Sequence, residues 1–355
     1  MIDRTDGVTL REKENEMKKT CRILAVIVSI LCLATAVTGC GAKSTTDDAK
    51  IRLCEVTHSV FYAPLYATIE LGYFRDEGLE VELINGGGAD KVMIAVITGQ
   101  ADIGFAGPEA CIYTCLEGQK DYPKIFGQLT KRDGSFLIGR TAEGFQWEDL
   151  RGKTILGGRK GGVPEMTLEY VLKQKGLQPG VDVTVDTSVQ FDMMAGAFIG
   201  GTGDYVTMFE PTATETESAH NGYVLASIGE ESGEIPYTAF FAKQSYLKDQ
   251  DSKVSRFTAA VTRGIEWVSS HSAQEAAQMI SPQFPGTSVE VLADVVQRYK
   301  DIDAWNCSLC MQPEALDRLQ AVMQEAGELK EHVDFQKIVD NTWAEKARGY
   351  MVFDQ

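Results

Sequence analysis

The sequence predicts an α/β protein built of two α/β lobes joined by two extended crossings, and three observations predict that architecture. From residue 51 short apolar runs alternate with helical patterns, the same alternation restarts after Arg140, and an extended apolar run at 237–242 precedes a long helical tail. Strands interleaved with helices make βαβ units on a mostly parallel sheet. Because the tail can pack on the first lobe, the second reads as an insertion. Lobe 1 is expected from 51–138 plus 239–355 and lobe 2 from 139–238, with 136–140 and 237–241 as the crossings.

In order, 51–56 reads as a strand, 63–72 as a helix closed by Gly72, 79–84 as a strand, 91–99 as a helix closed by Gly99, 101–106 as a strand and 109–118 as a helix. Glycine just past an apolar periodic run is a helix stop. In the second lobe 154–156, 181–186, 205–209 and 223–227 read as strands, and 165–175 (stopped by Gly176) and 193–199 as helices. Val254, Phe257, Val261, Ile265 and Val268 mark one face of a tail helix. Ligands of such sheets bind beyond the carboxyl ends of the strands. That rule singles out the loops 57–62, 86–90 and 107–109.

At 355 residues and 44% hydrophobic content the chain can fill two cores. It carries 51 acidic against 34 basic residues, a formal net charge of −17, which argues against nucleic-acid binding. The apolar segment 23–37 falls short of the roughly 20 residues that a spanning helix needs. Lys18, Lys19 and Arg22 precede it and Val37-Thr38-Gly39-Cys40 follows, the layout of an export signal over 1–39. The mixed charges of 1–16 would spoil a basic start, so translation is expected from Met17. Val37 to Cys40 resembles a bacterial lipobox, and this resemblance implies a diacylglycerol on Cys40. Two acyl chains hold a protein at a membrane where one does not. Residues 40–50 then read as a flexible tether, and the chain as lipid-anchored on the extracytoplasmic face of a cell membrane.

Past the signal and Cys40, five cysteines remain: Cys54, Cys111, Cys115, Cys307 and Cys310. Cys307 and Cys310 have zinc or redox spacing, but no second such pair or nearby histidine supports a metal. Buried thiols with at most one local disulfide are expected, and no metal or cofactor.

Residues 55–79, EVTHSVFYAPLYATIELGYFRDEGL, followed by Gln100-Ala101-Asp102-Ile103-Gly104, resemble the solute-binding proteins of bacterial ABC importers for nitrate, alkanesulfonates, taurine and thiamine pyrimidine precursors. Leu150 to Ile155, the stretch 161–176 and GGTGDYVTMFEP at 200–211 extend the likeness. The resemblance implies a periplasmic-binding-protein type II fold, two α/β lobes joined by two extended crossings. It implies lobes that close on a small solute and present it to an ABC permease and its ATPase, in a monomer without enzymatic activity. A eukaryotic pyrimidine synthase of thiamine biosynthesis resembles the same family, but it depends on a cysteine-rich iron motif and a lysine carrying pyridoxal phosphate. No dense cysteine cluster occurs here.

For the solute, the loops pull two ways. Arg159, Lys160, Gly161 and Gly162 stand before a helix whose first position suits Pro164, so backbone N–H groups there suit an anion. Glu109, beside Gly107, and Glu210, beside Phe209, suit N–H donors instead. His58, Phe61 and Tyr62 follow the first strand, where aromatic faces can stack on a flat ring. The glycine turn tips the balance toward a sulfonate, taurine or nitrate-type anion; the alternative is an N–H-rich heterocycle such as a pyrimidine precursor. Each residue also has a structural reading. Glu109 and Glu210 can cap helices, Arg159 and Lys160 can be solvated charges, and His58 can be a hydrogen-bonded scaffold residue.

Overall fold

The described residues hold ten strands: β1 (Lys50–Glu55), β2 (Glu80–Asn85), β3 (Ile103–Ala106), β4 (Pro123–Thr130), β5 (Ser135–Gly139), β6 (Thr154–Leu156), β7 (Thr184–Asp186), β8 (Tyr205–Phe209), β9 (Tyr223–Ser227) and β10 (Thr238–Lys243). This is a computed structural model, and it describes residues 49–142 and 144–351. The expected signal, Cys40 and most of the tether lie outside the described residues.

The strands form two five-stranded sheets, ordered β2-β1-β3-β10-β4 and β7-β6-β8-β5-β9. In the first, Leu53 of β1 faces Leu83 of β2 and Ile103 of β3 in parallel register. Returning β10 runs antiparallel, Phe240 lying opposite Phe105 of β3 and Gly127 of β4. Helices on both faces bury both sides of the central strands, so β3 reads apolar throughout instead of alternating. The second sheet repeats the plan: β6 pairs in parallel with β7 and β8, and β5 runs antiparallel between β8 and β9.

The expected crossings are corrected by this pairing. Phe136, Leu137 and Ile138 are buried inside the second sheet, laddered on both sides, and Ala239, Phe240 and Phe241 are equally buried inside the first. Apolar runs of this kind belong in sheets. The chain passes between the sheets at 131–134, and returns through the short helix Ile228–Ser232 and residues 233–237. β4 has no counterpart in the sequence reading, because Pro123, Lys124 and Gly127 break its apolar run.

The tail packs on the first sheet as expected. Helix Asp251–Ser270 buries Val254, Phe257, Val261, Ile265 and Val268. Past it, the chain lies along the outer edge of β4, where Asn306 N–H donates to Leu129 O (2.8 Å) and Gln128 N–H to Leu309 O (2.7 Å). The Cys307 to Cys310 stretch thus covers a strand edge that would otherwise stay open to pairing. Cys54, Cys111, Cys115, Cys307 and Cys310 are free thiols.

Candidate functional site

The carboxyl ends of the parallel strands face one another across a pocket of about 660 Å³ including its mouth, with about 70 Å³ open to the centre of a water molecule. A small solute fits such a space. The loop after β1 supplies Thr57 and Tyr62, the loop after β2 Gly87, Gly88 and Asp90, and the loop after β3 Gly107 and Glu109. From the second sheet's side come Arg159, Gly162, Pro164, Gln190, Phe191 and Phe209, while Tyr237 comes from the return connection and Thr238 from the start of β10.

Glu109 is the polar centre. It is 1% exposed, and its Oε2 has no hydrogen-bond partner. Gly107 makes room for it, since a Cβ there would lie 2.0 Å from that oxygen. Burial pushes the Glu109 carboxyl up to about 7, against the pull of Arg159 and the nearby N–H groups of Glu109, Val163 and Ala110. Arg159 reaches from the second sheet's loop, its guanidinium 3.7 Å from Glu109 and 3.8 Å from Asp90. Both distances exceed the 2.7–2.9 Å of a tight charge-assisted bond. The cation is therefore held near the acids and still free to engage a solute.

The helix start expected to hold an anion is filled by the protein's own acids. Gly161 N–H donates to Glu165 Oε2 (3.0 Å), Gly162 N–H to Arg159 O (3.1 Å), and the Val163 N–H lies beside the Glu109 carboxyl. Acids favour helix N-termini for the same reason that anions do. The Gly161 carbonyl in turn accepts the Tyr113 hydroxyl of the first sheet's flank at 2.9 Å.

Tyr62, Gly107, Glu109, Arg159, Gly162 and Phe209 are brought together as the sequence suggests; five other expected residues lie elsewhere. His58 is a scaffold residue: Nδ1 meets Glu55 at 2.8 Å, Nε2 meets Gln283 O at 2.9 Å, and the ring lies tilted between Tyr66 and Phe284. Phe61 is fully buried behind the pocket wall, 5.8 Å from the Phe209 ring and 4.9 Å from Tyr299. The Lys160 side chain is 70% exposed and leans toward Glu328. Gly161 spends its N–H on Glu165, and buried Glu210 turns away to Arg298 (2.5 Å) and Thr214. Gln190, Phe191 and Thr238 also line the pocket, and the sequence does not single them out. The strand-end rule, applied to β7 as it was to β1 and β3, would have found the first two.

These buried acids set a pH dependence. Burial also pushes Asp133 up to about 7 and raises Glu165. An acid whose folded value lies above its unfolded one binds more protons when folded, so its contribution to stability falls as pH rises between about 4.5 and 7. His58 acts in the same sense: burial lowers it, but the bonds to Glu55 and Gln283 outweigh that and raise it. The melting temperature should drop by at least about 3 °C from pH 5.5 to pH 8. A flat or rising profile in calorimetry would overturn this account.

The model of the family described as NMT1/THI5 like matches residues 60–275. The chain belongs to that family. YtlA of Bacillus subtilis (strain 168), whose name speaks of binding and of no ligand, is 39% identical over 331 residues, covering 93% of this chain and 98% of its own. Among solved structures, the alkanesulfonate-binding protein SsuA from Xanthomonas axonopodis pv. citri bound to MOPS superposes with a TM-score of 0.65 at 15% identity, covering 84% of this chain and 97% of that one. The periplasmic nitrate-binding protein NrtA from Synechocystis PCC 6803 gives 0.67 at 15% identity over 85% and 89%. This NMT1/THI5-like chain has the periplasmic-binding-protein fold. No helix among its described residues is long and apolar enough to cross a membrane.

Proposed function

We propose that the chain is the solute-binding lipoprotein of an ABC importer, capturing a small organic solute between two lobes and handing it to a permease without chemical change. The observation that carries this is Arg159, which reaches from the second sheet across the pocket to Asp90 and Glu109 of the first. A contact of that kind differs between open and closed states, which is what couples solute binding to closure. The sheets and their helices act as the lobes, and the connections at 131–134 and 233–237 absorb the hinge motion. The names of SsuA and NrtA, which speak of binding sulfonate and nitrate, agree with this role. Cys40 serves as the lipid anchor on the extracytoplasmic face, and Cys40→Ala should move the protein from the membrane to the soluble fraction. Persistence in the membrane would defeat the anchor.

For the solute, the pocket favours a flat, N–H-bearing molecule of the aminopyrimidine kind. Asp90 and, where it is ionised, Glu109 stand against one guanidinium and disfavour a lone anion, and the helix start that would have held one is occupied by Glu109 and Glu165. Phe191, Phe209 and Tyr237 give flat walls, the Phe191 and Phe209 rings 5.5 Å apart. A thermal-shift screen of 4-amino-2-methylpyrimidines, taurine, alkanesulfonates and nitrate decides it. Saturation at a hundred times Kd stabilises by about 2.7 kcal/mol. Aminopyrimidines should raise the melting temperature; stabilisation by nitrate or simple sulfonates alone would sink the assignment.

A further inference from the structure

Helix Glu109–Leu116 carries two residues one turn apart on one face, Glu109 and Tyr113. Glu109 stands in the pocket, while Tyr113 reaches across to the second sheet's side. Its hydroxyl donates to Gly161 O at 2.9 Å and lies 3.9 Å from Met166 Sδ. Gly161 belongs to the turn Arg159-Lys160-Gly161-Gly162, which the Gly162 N–H closes on Arg159 O at 3.1 Å. The backbone is shaped for this approach. Gly161 has a φ of +72°, in the left-handed region, and a Cβ there would lie 3.3 Å from the Tyr113 hydroxyl and 3.1 Å from Glu328 Oε2.

The contacts that reach this turn from the first sheet's side and from the tail differ in strength. Arg159 is 3.7 Å from Glu109 and 3.8 Å from Asp90, and Lys160 is 3.9 Å from Glu328, all beyond hydrogen-bonding distance, whereas the Tyr113 bond lies within it. The opposite end of helix Val163–Gln174 has its own tie, Lys173 Nζ donating to Glu325 O at 2.6 Å, and Val163 and Met166 are buried. The helix therefore stays docked without Tyr113, and the turn at its start is what the hydroxyl holds. We infer that Tyr113 is a positioning residue: its bond to Gly161 O fixes the Arg159 turn across the pocket, and with it the distance of the guanidinium from Glu109. The helix that supplies the buried acid thus also supplies the strut that sets the acid's counter-charge. Because the strut joins one lobe to the other it forms on closure, a consequence that rests on the proposed solute-binding role.

Glu109 itself reports where the guanidinium stands. Burial pushes its carboxyl up to about 7 and Arg159 pulls it back, while Tyr113 is held neutral by burial, so that Tyr113→Phe removes a hydroxyl and no charge.

Carbon-13 NMR of the full chain without solute, labelled at glutamate Cδ, follows this carboxyl, its signal assigned by its loss in Glu109→Gln. Arg159→Ala should raise the Glu109 midpoint by about one pH unit, the scale of losing one nearby cation. Tyr113→Phe should raise it in the same direction by part of that amount, and should move it no further when added to Arg159→Ala. An unchanged midpoint in Tyr113→Phe overturns the inference. So does an equal rise in the Arg159→Ala background, since Tyr113 would then act on Glu109 directly, and so does a midpoint that ignores Arg159→Ala, since no counter-charge would be there to place. Calorimetry with 4-amino-2-methylpyrimidine reads the functional side: Tyr113→Phe should weaken binding by about two- to tenfold, the range of one ordinary hydrogen bond, and by nothing further once Arg159 is Ala. If the Glu109 midpoints move as described but this probe does not bind, or binds Tyr113→Phe as tightly as the unmodified protein, the solute-site reading fails and the strut stands.

Discussion

Replacing Glu109 by Gln should weaken solute binding by about ten- to a hundredfold, the equivalent of the 1.5–3 kcal/mol that a hydrogen bond to a charged group contributes. Glu109 is buried, its Oε2 lacks a partner, and it stands where the loop after β3 meets the start of helix Val163–Gln174. On the function proposed above, a solute N–H would supply the partner that this oxygen lacks. Gln keeps the shape but loses the charge, and it can present its own N–H toward the solute. The pH profile sharpens the test. Below about 7, where the carboxyl takes up a proton, affinity in the unmodified protein should fall about tenfold per pH unit, while in Glu109→Gln the Glu109-dependent part of that fall disappears. Arg159→Ala should cost less, since this guanidinium is partly exposed and its contacts are long. Calorimetry with the solute found by the screen gives all three results, and an undiminished affinity in Glu109→Gln would remove it from the site.

How much of this was legible in the sequence depends on the length scale of each signal. The alternation of strands and helices, the tail helix face at Val254 to Val268, and the three loops after the parallel strands all rest on local patterns, and the structure agrees with them. The crossings were misplaced because buried sheet strands and extended linkers share one apolar signature; only pairing partners distinguish Phe136 to Ile138 as sheet. The charge pattern around Arg159 was only partly legible for a related reason. Arg159 to Gly162 reads as an anion cradle as long as nothing fills it, and what fills it is Glu109, fifty residues earlier, together with Glu165 on the next turn. Similarly, Glu210 looks like a pocket acid until Arg298 arrives from a tail helix that the sequence gives no reason to place there.

That last pairing should make Arg298→Ala one of the most destabilising single changes outside the hydrophobic core. The Glu210 side chain is fully buried and Arg298 is 32% exposed, the two joined at 2.5 Å with the guanidinium also 5.4 Å from the Phe136 ring centre. Burial raises the Glu210 carboxyl and Arg298 pulls it back. The residue is also a structural node: its N–H donates to the Tyr299 hydroxyl at 3.2 Å and its carbonyl accepts the Ser59 hydroxyl at 2.6 Å. It therefore ties the end of β8 to the loop after β1 and to the tail. Removing one partner of a buried ion pair costs about 3–5 kcal/mol, because the other charge is left unpaired in a poor solvent. Thr214, which donates to Glu210 from both N–H and hydroxyl at 2.9 and 3.0 Å, should hold the loss near the lower figure, about 3 kcal/mol. Glu210→Gln removes the charge that Arg298 neutralises, so the double variant Glu210→Gln with Arg298→Ala should be more stable than Arg298→Ala alone. Urea unfolding of the three variants measures both quantities. A loss below about 1 kcal/mol in Arg298→Ala, the scale of an exposed ion pair, would return Glu210 to the list of acids free to meet a solute.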